Sequence, residues 1–103
     1  MNNTAPVAKK PATVQEILQS FVFPEGFEYE AIGFTEDAWV ITAPNGAELE
    51  IGTDTDDPRD FEGYTWQSYD TDGMEGGNLT GTGGTTAEEG ARGQVIKFVA
   101  VNR

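Results

Sequence analysis

The sequence predicts an α+β fold: an antiparallel four- or five-stranded sheet with an N-terminal and a C-terminal helix packed on one face. Three observations point there. Residues 39–51, WVITAPNGAELEI, place two β-prone runs around a turn. Residues 13–21 join a capping box to apolar residues at helical spacing. Residues 86–103 open on acids, continue through an apolar series and end among basic residues, as the helix dipole favours. A chain of 103 residues fits one domain, able to bury roughly 60–68% of the surface its unfolded form exposes. Residues 1–12 are read as a flexible arm and residues 13–103 as a single small acidic domain.

Taken in order, Thr13-Val14-Gln15-Glu16 matches a capping box, with Thr13 as N-cap and Glu16 at the third helical position. Val14, Ile17, Leu18 and Phe21 follow at i, i+3, i+4 and i+7. Pro24 restrains the residue before it from helical ψ, so the helix is placed at 14–22. Phe27-Glu28-Tyr29-Glu30-Ala31 alternates apolar and acidic residues as a half-buried strand does, with Ile32-Gly33-Phe34 as a continuation after a kink. In the central hairpin, Pro44, Asn45 and Gly46 have the chemistry of a three-residue loop. That loop sets Trp39 opposite Ile51, Ile41 opposite Leu49 and Ala43 opposite Ala47. A two-residue Asn-Gly loop would instead set Ile41 against Glu50, mixing core and solvent, because a one-residue slip reverses a strand's faces. Residues 52–60 read as a loop and YTWQSY, 64–69, as a strand. Asp72-Gly73 suggests a two-residue turn that would pair Trp66 with Leu79 on a return strand from Met74 to Thr82. Thr86 and Glu89 form a second capping box, and Ala91, Val95, Phe98 and Val99 share a helical face, so a helix is expected over 87–100. Gly90 and Gly93 each oppose it by about 1 kcal/mol, and Val95–Val101 is rich in β-formers, so a strand there is the alternative.

Composition removes several function classes. The chain has no cysteine and no histidine, which excludes disulfide and thiol chemistry and removes the commonest general base. No apolar run approaches the ~20 residues of a membrane-spanning helix, and the first residues lack a signal peptide's apolar region, so a cytoplasmic location is expected. All 18 acidic residues lie between Glu16 and Glu89, whereas Arg59 is the only basic residue from Pro11 to Ala91. The net charge of −12 is therefore concentrated in the body of the domain. Nucleic acid and anionic membranes would be repelled.

Several short motifs resemble binding loops but have plainer readings. Asp54-x-Asp56-Asp57 and Asp70-x-Asp72-Gly73 resemble parts of calcium loops. In an EF-hand register, however, position 5 falls on Pro58 or Met74 and position 6 on Arg59 or Glu75. No metal site is assigned, and a calcium-binding domain is kept only as an alternative. Gly81-Thr82-Gly83-Gly84-Thr85-Thr86 lacks the third glycine of a dinucleotide fingerprint and the lysine of a P-loop, so it reads as a flexible connection. Ser20 and Ser68 have no histidine base. No catalytic residue and no cofactor are assigned, and the chain is not expected to be an enzyme.

The acidic strands carry the functional expectation. Glu28 and Glu30 share one face of their strand, and Glu48 and Glu50 share one face of theirs. If the two strands are neighbours, these residues form an acidic surface continued by Asp54, Asp56, Asp57 and Asp60. Like charges so close oppose folding, which suggests a basic protein surface as partner, such as the groove of a nucleic-acid-binding enzyme. In size and charge the chain is similar to inhibitors that imitate nucleic-acid charge, such as phage anti-restriction and anti-CRISPR proteins. That similarity implies a small acidic module that blocks a basic groove. The alternative is a structural or accessory domain whose charge only maintains solubility.

Overall fold

The computed structural model describes residues 12–32, 37–53, 63–70 and 78–103. They form an α+β arrangement: helix α1 (Val14–Gln19), strands β1 (Glu28–Ala31), β2 (Ala38–Thr42), β3 (Glu48–Thr53), β4 (Tyr64–Tyr69) and β5 (Leu79–Thr85), and helix α2 (Glu88–Asn102). The strands make one antiparallel sheet in chain order, β1-β2-β3-β4-β5. Of the expected arm, only Ala12 lies within the described residues, and its carbonyl accepts a hydrogen bond from the Tyr64 hydroxyl at 2.7 Å.

Helix α1 starts as its capping box dictates. Thr13 Oγ1 accepts from the Glu16 N–H at 3.0 Å, and Glu16 Oε1 accepts from the Thr13 N–H at 2.8 Å. It ends three residues earlier than expected, with Ser20 as C-cap. Phe21 and Phe23 leave the helical path and pack against the core, their ring centroids 5.9 Å apart. A tight turn follows, in which Gly26 adopts φ +93° and the Phe27 N–H donates to the Pro24 carbonyl at 3.2 Å.

The central hairpin has the register its alternation demands: Trp39 pairs with Ile51 and Ile41 with Leu49. The Gly46 N–H donates to Ala43 O at 2.9 Å, the Ala43 N–H to Ala47 O at 2.8 Å, and Gly46 takes φ +93°. Ile41, Ala43, Ala47, Leu49 and Ile51 are buried and Trp39 is half-buried. They join Val14, Ile17 and Leu18 of α1 and Ala91, Val95 and Phe98 of α2 in one core cluster.

The second hairpin differs from the expectation. Trp66 pairs with Gly83, and Tyr69, not Trp66, pairs with Leu79. The indole of Trp66 lies across the backbone of Gly81 and Gly83. A Cβ on Gly83 would fall 2.8 Å from Trp66 Cζ2, and one on Gly81 3.3 Å from Cζ3. Glycines accommodate the ring, so this contact sets the register rather than an Asp72-Gly73 turn, which lies outside the described residues. The glycine-threonine run read as a connection is therefore edge strand β5.

The C-terminal segment is the helix α2, against the alternative strand. Its N-cap is Ala87, with no side-chain cap, instead of Thr86. Strand β5 runs through Thr85, and Thr85 Oγ1 takes the Ala87 N–H at 3.2 Å, so the helix begins one residue later than the capping box implied. No described helix is long and apolar enough to cross a membrane.

Candidate functional site

Register places the four glutamates. Glu28 of β1 pairs with Thr42 of β2, which pairs with Glu48 of β3, which pairs with Tyr69 of β4. Glu30, Val40, Glu50 and Gln67 form the next row. Directly paired residues in an antiparallel sheet project to the same side, so Glu28, Glu30, Glu48 and Glu50 occupy one face. It is the face opposite Ile41, Leu49 and Ile51.

The glutamate-bearing strands are not neighbours, which corrects the expectation that they could be: β2 runs between them. The carboxylate rows are therefore two strand spacings apart, roughly 9.5 Å, with roughly 6.7 Å between the glutamates of one strand. Thr42 and Val40 separate the rows, so no glutamate stands directly opposite another. Glu28 and Glu30 are exposed, whereas Glu48 and Glu50 are half-buried. Thr42 and Tyr69 flank Glu48 across the sheet, and Val40 and Gln67 flank Glu50. Asp54, Asp56, Asp57 and Asp60 lie outside the described residues, as does Asp72.

Sequence reasoning missed a trough beside these rows. Gly52 pairs with Ala38 on one side and Thr65 on the other, and a Cβ at Gly52 would fall 3.1 Å from Ala38 Cβ. These small side chains floor a concavity of about 520 Å³ that Glu50, Gln67 and Thr82 also line. The only available signal was the run Glu50-Ile51-Gly52, which gave no strand order. A second concavity, about 320 Å³, lies between α2 and β3–β5 and is lined by Leu49, Trp66, Phe98, Gln94 and Lys97 among others.

Asp37 has a role that no sequence pattern signalled. Its carboxylate accepts from the Val14 N–H at 2.6 Å, the Gln15 N–H at 3.3 Å and Trp39 Nε1 at 3.2 Å. It ties the start of α1 to β2 and serves the fold. The serine hydroxyls are likewise engaged: Ser20 Oγ donates to Ile17 O at 2.6 Å and Ser68 Oγ shares a hydrogen bond with Thr80 Oγ1 at 2.9 Å. Among the described residues no group of three or more acidic side chains is placed to hold a metal ion.

The described cations segregate from the glutamates. Arg92, Lys97 and Arg103 all belong to α2 or its C-cap, and no described strand residue is basic. Arg92 is committed within the fold, its Nε donating to Glu88 at 2.7 Å and its guanidinium lying 5.8 Å from the Phe21 ring centroid.

Comparison with protein-family models, curated proteins and solved structures finds no match.

Proposed function

We propose that this chain is a binding module, acting without catalysis, whose glutamate-bearing sheet face engages a basic protein surface. The single observation behind the reading is the register that sets Glu28, Glu30, Glu48 and Glu50 on one side of one sheet. In this reading both helices cover the face of Ile41, Leu49 and Ile51 and leave the acidic face open. Four carboxylates on a fixed lattice, with no described strand cation among them, offer ordered ion pairs to lysine and arginine. The trough over Gly52 gives the aliphatic stem of such a side chain a surface beside Glu50. The partner is a nucleic-acid-binding protein whose basic groove the face occludes, in the manner of inhibitors that mimic nucleic-acid charge.

The test is capture of basic partners at low and high salt, followed by competition with DNA or RNA. Capture should weaken as salt screens the charges, and nucleic acid should displace the chain. Reversal of Glu28 and Glu30, or of Glu48 and Glu50, to lysine should abolish capture while the fold persists. If the captured proteins are not basic, or nucleic acid does not compete, the charge serves only solubility. The separation of the rows by Thr42 and Val40, which already softens their repulsion, favours that second reading.

A further inference from the structure

The outward side of α2 carries a stripe that the core does not use. Glu89, Gly93, Ile96, Ala100 and Arg103 are all exposed. Their spacing of four, three, four and three residues aligns them on one side of the helix, as in a coiled-coil seam. The buried residues Ala91, Val95 and Phe98 lie on the other side. Ile96 is 57% exposed, and it lines an apolar groove of about 220 Å³ with Val99, Ala100, Arg103 and residues 21–24, where Val22 is 99% exposed.

The two glycines of α2 differ in a telling way. A Cβ on Gly90 would collide with Thr85, so packing within the chain explains that glycine. A Cβ on Gly93 would meet nothing within 4 Å, although glycine weakens a helix interior. A helical glycine facing open space suits the close approach of another backbone.

We infer that two copies of this chain associate through α2, antiparallel, about a two-fold axis at Ile96. The stripe is its own complement in that arrangement. Ile96 meets Ile96 of the second copy, and Gly93 of each copy lies beside Ala100 of the other. Glu89 at the acidic end meets Arg103 at the basic end, twice, because an isologous interface repeats every contact. No other described surface offers this pairing: the strands carry acids without bases, and two acidic faces would repel. The association also directs the glutamate faces of the two copies away from each other. It is independent of the partner proposed for that face.

Sedimentation equilibrium over a concentration series at about 0.15 M salt tests the inference. The intact chain should approach twice its monomer mass as concentration rises. Ile96→Glu, which sets like charges together at the axis, should remain monomeric throughout. Glu89→Lys alone and Arg103→Glu alone should each weaken association about tenfold or more, since the two-fold axis counts every change twice. The Glu89→Lys/Arg103→Glu double variant should regain the affinity of the intact chain, which a merely structural effect of either change would not produce. Circular dichroism of each variant should match that of the intact chain. A monomer at every concentration, a dimer that survives Ile96→Glu, or a double variant no better than the singles overturns the inference. Ile96→Glu leaves Glu28, Glu30, Glu48 and Glu50 in place and should leave capture of a basic partner unchanged, so the two proposals can fail separately.

Discussion

Asp37 and Tyr64 show how single polar groups hold this fold together. Asp37 supplies acceptors to two N–H groups at the start of α1 and to the Trp39 indole, where the helix terminus also favours an anion. Asp37→Ala should therefore lower stability by about 1–2 kcal/mol, measured by urea unfolding. Thr13 already satisfies the Glu16 N–H, so the variant removes the partners of the Val14 and Gln15 N–H groups and of the Trp39 indole. Tyr64, the first residue of β4, is buried and its hydroxyl donates to the Ala12 carbonyl. Burial first, and then the nearby Glu88, raise its pKa above the ordinary 10.0. The fold thus favours the neutral phenol over the phenolate. That contribution is present below the unfolded pKa and is lost as pH rises through the folded value. Stability should fall on the alkaline side of pH 10, and Tyr64→Phe should flatten that decline. At neutral pH the same variant should cost about 1 kcal/mol, because the Ala12 carbonyl loses its donor. Denaturant midpoints between pH 7 and the alkaline range check both statements.

Among the elements, legibility follows the range of the forces that fix each one. The central hairpin could be read because its loop chemistry and its two alternating strands agree within 13 residues of chain, and a slipped register would have buried glutamates. Helix α1 could be read from its reciprocal cap. The second hairpin could not, because its register is set by the indole of Trp66 on Gly81 and Gly83, a contact no local pattern encodes. Gly83→Ala should accordingly cost about 1–3 kcal/mol through overpacking, with a change in the near-ultraviolet signal of Trp66. Helix α2 formed despite Gly90 and Gly93 because Ala91, Val95 and Phe98 bury one side of it, and tertiary burial outweighs propensity. The cap was misplaced by one residue because β5 extends to Thr85. Thr86→Ala should then change stability by less than about 0.5 kcal/mol, where a true N-cap would cost about 1 kcal/mol. The acidic face was half legible: period-two alternation assigns each glutamate to a side, but strand order is non-local, so the interposed β2 could not be seen.

At the scale of the whole molecule, charge decides how the fold responds to its surroundings. A net charge of −12 on 103 residues opposes compactness through self-repulsion. The four sheet glutamates contribute to this from positions that bury no apolar surface of the core. Replacing Glu28, Glu30, Glu48 and Glu50 together by glutamine keeps the side-chain shape and removes four charges. The variant should unfold at a higher temperature than the intact chain at low ionic strength. The difference should shrink as salt rises, since exposed charges more than about 8 Å apart are largely screened near 0.15 M. A basic partner relieves the same repulsion, so its binding should raise the melting temperature of the intact chain by linkage and leave that of the glutamine variant unmoved. The measurement is a thermal scan of both proteins across a salt series, with and without a basic protein that the chain captures. Equal melting temperatures for the two proteins at low salt would show that the rows are already too well separated to repel. A partner that stabilises both proteins equally would place its contact away from the glutamate face.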